Sequence, residues 1–305
     1  MRIHHLNCGT HCPLGGAFFD GASRGLFANI VTHCLLIETD RGLVLVDTGY
    51  GLQDVRRPRS RLSRTWPVVL NVQLLERETA LRQIEALGFS ARDVRHIVLT
   101  HLDFDHAGGL EDFPEARIHV METERDTAEN KRRGFVGNQR YRPLQWDDVR
   151  DWRTYAAGGE RWFGFDAVRS LDGLPPEILM VPLRGHTAGH AGVAVQTGTG
   201  WLFNAGDAYL YRGQMDVARH HCTWGLSIYQ SIMDTDRPAR RANQERLREL
   251  KHNHGAEITI FCSHDTQELA ALQVIVVAQR SDSKFLGSTR ATSNTLHVTP
   301  PGTVA

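Results

Sequence analysis

Four potential metal ligands fall within six residues of this chain. They are His101, Asp103, Asp105 and His106, in Thr-His-Leu-Asp-Phe-Asp-His-Ala-Gly-Gly. Ile97-Val98-Leu99, just before them, read as the end of a buried strand. Imidazoles and carboxylates are ligand types for zinc, iron and manganese. So many polar groups beside a core are costly unless something neutralises them. The bland alternative is a solvated acidic loop with two surface histidines. Further single candidates argue against it, because each follows an apolar run of its own. Asp47 follows 43–46, His186 follows 178–181, Asp207 follows 201–204 and His264 follows 258–262. Strand ends gathered on one edge of a sheet pair would build one site from residues far apart in sequence.

The elements that must position these residues can be read in outline. Runs 30–38 and 43–46 are strands, joined by the turn Asp40-Arg41-Gly42. A helix is expected over 76–87, stopped at Gly88, and then a strand to Leu99. A strand at 117–121 and a helix at 122–131 follow. Later come a short strand at 178–181, a hairpin of 193–196 with 201–204, a charged helix at 237–252 and a strand at 258–262. Two stretches read as insertions. Residues 51–75 carry Arg56, Arg57, Arg59, Arg61 and Arg64, mostly a solvated face with a little helix. Residues 132–178 hold Arg132, Arg133, Arg140, Arg142, Trp146, Trp152, Tyr155, Trp162 and Phe163. That stretch is either a lid or a peripheral packing subdomain. The expected division is one domain over 1–275 and a C-terminal tail over 276–305. The tail turns to Ser, Thr and Pro and is expected to be disordered or peripheral.

Composition narrows the class. The 305 residues carry 35 Lys+Arg and 35 Asp+Glu, and this balance argues against a polyanion bound by bulk electrostatics, so no nucleic-acid partner is expected. No run is long and apolar enough for a membrane span. The segment Met-Arg-Ile-His-His-Leu-Asn-Cys lacks a signal-peptide core, so a cytoplasmic location is expected. Sixteen histidines favour metal chemistry. Five scattered cysteines argue against a disulfide framework. Cys8, His11 and Cys12 have poor zinc spacing and no second pair nearby, so a structured N-terminal turn is expected there. His33, His96 and His119 lie in or beside strand-like runs and read as packed, hydrogen-bonded histidines.

These motifs, taken together, resemble the metallo-β-lactamase fold superfamily. His101-x-Asp103-x-Asp105-His106 looks like its His-x-His-x-Asp-His signature. Gly185-His186-Thr187-x-Gly189-His190 resembles a Gly-His-Thr-x-Gly-His motif whose first histidine is a ligand. Gly206-Asp207 resembles the metal-bridging pair, Ser263-His264-Asp265 the final ligand segment, and Leu45-Val46-Asp47-Thr48-Gly49 the motif whose Asp orients the site loop. The resemblance spans roughly residues 30–270. It implies an α/β fold, a four-layer αββα sandwich, with two divalent metal ions at one edge. His101, Asp103 and His186 would hold one ion. Asp105, His106 and His264 would hold the other, and Asp207 would bridge them. His190 would not be a ligand. Asp103 stands where the superfamily usually has histidine. A carboxylate there can ligate directly or orient a ligand histidine from outside. Zinc is the expected metal, with iron or manganese at the Asp103 position as the harder-ligand alternative.

The implied activity is metal-dependent hydrolysis. Two divalent ions about 3.5–4 Å apart can lower the pKa of a water towards neutrality and polarise an ester carbonyl. Asp105 and Asp207 would position that water or shuttle its proton. A small ester is the expected substrate, a lactone above all, since the motifs resemble those of acyl-homoserine lactonases. Those enzymes carry a tyrosine three residues after the bridging Asp. Here Leu210 takes that place, and the adjacent Tyr209 is the candidate for its role. A thioesterase of the glyoxalase II type and a phosphotriesterase are alternatives within the class. An iron-dependent sulfur dioxygenase and a non-catalytic metal-binding protein are alternatives outside it. The expected partners are a small-molecule substrate and a second copy in a homodimer, with no membrane.

Overall fold

The chain folds around two six-stranded sheets, seen in a computed structural model that describes residues 1–130 and 134–274. The expected tail, 276–305, and Arg132 and Arg133 lie outside the described residues. The first sheet has the order β1 (Arg2–His11), β2 (Ile30–Thr39), β3 (Gly42–Val46), β4 (Val94–Val98), β5 (Arg117–Met121) and β6 (Trp152–Tyr155). The second runs β12 (Ile258–Phe261), β11 (Gly200–Asn204), β10 (Ala191–Thr197), β9 (Ile178–Pro182), β8 (Phe165–Ser170) and β7 (Glu160–Trp162).

Alternation along the strands builds the layers. Leu35, Ile37, Val44, Val46 and Val98 point inward and pack on Ile178, Met180, Val193, Val195 and Leu202 of the other sheet. Their neighbours Leu36, Leu43, Leu45 and Ile97 point outward, against Leu81 and Ile84 of the Ala80–Ala86 helix and Ala128 of the Glu122–Asn130 helix. On the far side Leu179, Val181, Ala194 and Phe203 meet Leu247 and Leu250 of the Arg237–His254 helix. The result is a mixed four-layer αββα sandwich. Each such aliphatic side chain contributes about 1.5–3 kcal/mol on burial. Strands buried on both faces read as continuous apolar runs, which is why their positions were visible in the sequence.

Strand direction then decides where the chemistry collects. β1 is antiparallel to β2, β2 to β3, and β3 is parallel to β4. β9 is antiparallel to β10, β10 to β11, and β11 is parallel to β12. Hence β1, β3 and β4 share a direction, as do β9, β11 and β12. Their C-terminal ends lead to His11, Asp47, the 101–106 loop, His186, Asp207 and His264 respectively. Two backbone bonds tie the sheets together here, Ala191 N–H to Thr100 O at 2.9 Å and His33 N–H to Ser263 O at 2.8 Å.

The two expected insertions are built into the fold. Residues 132–178 supply β6 to one sheet and β7 and β8 to the other, and include the Gly134–Arg140 helix. These strands are the outer members of the two sheets. In 51–75, Leu62, Trp66 and Leu70 pack with Tyr50, Phe104 and Met233, and Arg61 is buried on Asp54 at 3.1 Å. Arg56, Arg57, Arg59 and Arg64 are exposed, as expected. The N-terminal turn expected at Cys8–Cys12 is instead the end of the edge strand β1. All five cysteines are free. Among the described residues, no helix is long and apolar enough to cross a membrane.

Candidate metal centre

Asp47 holds the site loop. It sits just after β3 with φ of 57°, a left-handed conformation that Asp tolerates better than most residues. Its Oδ1 accepts from Thr100 N–H at 2.8 Å, and its Oδ2 from Thr100 Oγ1 at 2.8 Å and His106 Nδ1 at 2.9 Å. Thr100 gives its one hydroxyl proton to Asp47, so it accepts from His101 Nδ1 at 2.9 Å. His264 Nδ1 donates to Val31 O at 2.7 Å. Each of these three rings spends an Nδ1 proton on an outer partner, which turns its Nε2 towards the interior of the site.

Those Nε2 atoms converge on Asp207. His264 Nε2 is 3.1 Å from Asp207 Oδ2, His106 Nε2 is 3.5 Å from Oδ1, and His101 Nε2 is 3.9 Å from Oδ2. His106 and His264 bring their Nε2 atoms within 3.4 Å of each other. All four side chains are buried. His101 Nε2 and Asp207 Oδ1 have no hydrogen-bond partner among the described residues. Lone pairs and carboxylate oxygens so close repel unless a cation or extra protons lie between them. The titration behaviour says the same. Burial pulls His106 down, but Asp207, Asp105 and Asp47 outweigh it and push the ring up to about 10. His264 is raised in the same way, against burial, by Asp207 and Asp105. Burial would raise the Asp207 carboxyl, yet His264 and His106 hold it well below the usual range. Donor type, orientation and unpaired atoms therefore fit a divalent ion here.

Asp207 is placed by an unusual turn. Gly206 has φ of 56°, and a Cβ there would lie 2.5 Å from His190 Nε2. His190 donates its Nδ1 proton to Leu183 O at 3.0 Å and accepts Asp207 N–H on Nε2 at 2.8 Å. Both ring nitrogens are spent, so His190 positions Asp207.

Asp105 and His11 form the outer flank. Asp105 Oδ2 lies 3.8 Å from His264 Nε2 and 4.0 Å from His11 Nε2. His11, Asp105 and His264 together have donor atoms within 4.8 Å of one another, but His264 has one Nε2 lone pair, so it serves an ion there or beside Asp207 and not at both. Burial raises the Asp105 carboxyl. His11 Nε2 also lies 3.0 Å from the hydroxyl of Tyr50. The sequence set His11 aside with Cys8 and Cys12 as part of a structured turn; as the last residue of β1, which runs in the site-forming direction, it reaches this flank instead.

The opposite flank holds Asp103 and His186. Asp103 Oδ2 lies 3.1 Å from His186 Nε2 and 3.5 Å from His101 Nε2. Arg140, at the end of the Gly134–Arg140 helix, donates Nε to Asp103 Oδ1 at 2.7 Å and Nη2 to Oδ2 at 2.6 Å. Burial works against both charges. Arg140 nevertheless keeps Asp103 well below the usual carboxylate range, and Asp103 raises Arg140. Behind this flank Glu124 accepts from Leu102 N–H at 3.0 Å and Gly189 N–H at 3.1 Å, clamping the two site loops to one helix. Arg140 and Glu124 carry no motif, and only the fold brings them here.

Of the expected residues, His101, Asp103, Asp105, His106, His186, Asp207 and His264 meet at this edge. Tyr209 does not join them, a correction to its expected catalytic role. It is buried in the second sheet's outer core, and its hydroxyl donates to Glu268 at 3.0 Å. Phe104, next to Asp105, packs with Tyr50 and Trp66. The hydroxyls of Tyr50 and Tyr229 both lie in the field of the site, each raised by burial and then by Asp105. A cavity of about 240 Å³ opens beside His264, lined also by Ile30, Leu210, Tyr211, Arg212 and Leu226. A larger one of about 590 Å³, around Arg57 and Asp112, touches none of the cluster.

Known proteins are similar to this chain in sequence or in fold. The family model described as the metallo-beta-lactamase superfamily matches residues 30–230. A probable metallo-hydrolase of Mycobacterium tuberculosis is 41% identical over 266 residues, which cover 87% of this chain and 80% of that protein. An N-acyl homoserine lactonase of Bacillus thuringiensis is 30% identical over 122 residues, 38% of this chain and 49% of that one. A solved N-acyl homoserine lactone hydrolase, with N-hexanoyl-L-homoserine at its catalytic metal centre, shares the fold. Its TM-score is 0.63 at 19% identity, over 88% of this chain and 95% of that one. With its strand-end histidines and aspartates and these matches, the chain belongs to the metallo-beta-lactamase superfamily.

Proposed function

We infer that the protein is a metal-dependent hydrolase of small esters, with lactones as the leading substrate class. One observation carries this reading. Three imidazole Nε2 atoms converge on one buried aspartate, while the Nδ1 of each ring is held by a partner outside the cluster. His101, His106, Asp207 and His264 would hold the metal, with Asp105 at its edge. When bound, a divalent ion supplies a lowered water pKa and a Lewis acid for the ester carbonyl. The chain's own groups do the rest. Asp47, Thr100 and Val31 O fix the ring tautomers, which keeps the donor atoms aimed. Asp105, whose carboxyl burial already raises, is the group suited to take up a proton. The cavity beside His264 suits a compact substrate rather than a polymer. Lactones are favoured because the relatives include N-acyl homoserine lactonases.

A pH-indicator screen of lactones, thioesters and phosphotriesters, run with and without chelator, tests the reading. Chelator-sensitive turnover is expected, highest on lactones. Turnover highest on a thioester or phosphotriester would move the substrate class. Absence of chelator-sensitive turnover on all three would overturn the hydrolase.

A further inference from the structure

Arg140 is an unusual neighbour for a metal centre. Its side chain is 1% exposed. Beyond its two bonds to Asp103, Nη2 donates to His186 Nε2 at 2.8 Å, and Nη1 donates to His186 O at 3.1 Å and Met233 O at 2.8 Å. A guanidinium has five N–H bonds, and these contacts use all five. The main chain is pinned as well, since Arg140 O accepts Phe104 N–H at 3.0 Å. This is a fully satisfied buried cation, set in place by helix, loop and both site loops.

Its contacts remove ligands from the centre. A guanidinium has no lone pair, so His186 Nε2 must be the acceptor in that contact. The lone pair it uses is the one a metal ion would need. Both oxygens of Asp103 accept from the same guanidinium, and the single charge of Asp103 is already matched. Of the four side chains expected around the first ion, only His101 and Asp207 remain. Those two belong equally to the cluster with His106. A divalent ion entering the Asp103 side would have to sit against a like charge or expel it from a site with five bonds. By distance alone His101, Asp103 and His186 could hold an ion, but with Arg140 on both Asp103 oxygens and on His186 Nε2 these donors do not fit one.

We propose that Arg140 is the permanent cation of the first metal position, so that this centre holds one divalent ion, on the Asp207 side. The departure of Asp103 from histidine then has a reason. It is the counter-ion of Arg140, and the two replace a histidine-bound metal as a unit. With all its N–H groups used, Arg140 acts through its field and by holding His186 and Asp103 in place. This rests on reading the cluster as a metal centre.

Zinc stoichiometry tests it without any substrate. The full chain is stripped with chelator, reloaded with excess zinc, desalted and counted by plasma mass spectrometry. Absorbance during cobalt(II) titration gives an independent count. One ion per chain is expected, and two would overturn the proposal. In the double variant Asp103→His, Arg140→Met the count should rise to two, and a folded double variant that still binds one would overturn it. If that variant does not fold, Arg140→Ala should bind two zinc ions alone and one with ethylguanidinium present; one ion in both conditions would overturn it. If neither variant folds, the wild-type count decides. A count of zero overturns this proposal and the metal-centre reading together. One zinc without chelator-sensitive ester turnover overturns the hydrolase and leaves this standing.

Discussion

Two groups of histidines lie in this fold, and they behave in opposite ways. On the inner face of the first sheet, His96 Nδ1 meets His119 Nε2 at 2.9 Å, and His119 Nδ1 meets the Tyr155 hydroxyl at 2.8 Å. The Tyr155 oxygen then accepts Asp172 N–H at 2.9 Å. One proton fits each gap, and none of these ring contacts is to a carboxylate. At the sheet edges, His101, His106 and His264 spend their Nδ1 protons outward and turn their Nε2 atoms towards Asp207. Burial pushes His119 down to about 3, whereas the carboxylates push His106 up to about 10. Residue type is shared, and His119 is as buried as His106. Where the ring proton points, and what the other nitrogen faces, separates a packing histidine from a candidate ligand.

The contrast breaks most visibly at Asp207. Asp207→Ala should remove the bound metal and lower ester turnover by more than about 100-fold, beyond the usual effect of losing an outer partner of a ligand. His119→Gln, by comparison, should leave metal content unchanged. Metal analysis and turnover on the same preparations check both. A metal-replete Asp207→Ala protein with normal turnover would dissolve the distinction between the two groups.

Much of the contrast could be read from the sequence, for a physical reason. A strand buried on both faces is a continuous apolar run, and a polar residue at its end stands out. Asp47, the 101–106 loop, His186, Asp207 and His264 all announce themselves in this way. His11 ends a strand whose exposure alternates, with Arg2 open and His4 buried, so its run lacks that mark. Arg140 and Glu124 were not legible at all. They sit on helices in or before a stretch of weak periodicity, and their role comes from contacts with loops 37 and 65 residues away. Tyr209 was misread because adjacency to a motif says nothing about which side of a strand end a ring faces. Its neighbour Ala208 and its partner Glu268 place it in the outer core.

A smaller effect is expected at Asp47, which touches two site elements without facing Asp207. Asp47→Asn keeps the volume but sets an amide against donors from Thr100 and His106. Zinc affinity should fall about 10–100-fold, the usual range for an outer partner of a ligating histidine. Competition with a chromophoric chelator measures it. An unchanged affinity would mean that His106 needs no help to present its Nε2 lone pair.

The smallest effect tests the packed group, and its sign is opposite to that of a paired acid–base site. His119 has a folded pKa of about 3, against about 6.5 for a free imidazole. Between those values the unfolded chain binds a proton that the native protein refuses. Stability from this group is therefore complete above about pH 6.5 and is lost as pH falls towards about 3. At pH 5 the loss from His119 reaches about 2 kcal/mol, or of order 5 °C in thermal midpoint for a domain of this size. His119→Gln keeps a donor and an acceptor for His96 and Tyr155 but cannot titrate. Its thermal midpoint should fall less between pH 7 and pH 5 than that of the wild type. Both proteins are measured with chelator, so that metal release is removed from the comparison. An equally steep fall in the variant would show that the buried chain of rings is not held neutral, and the proton-direction rule would then fail for the very group that defines its packing side.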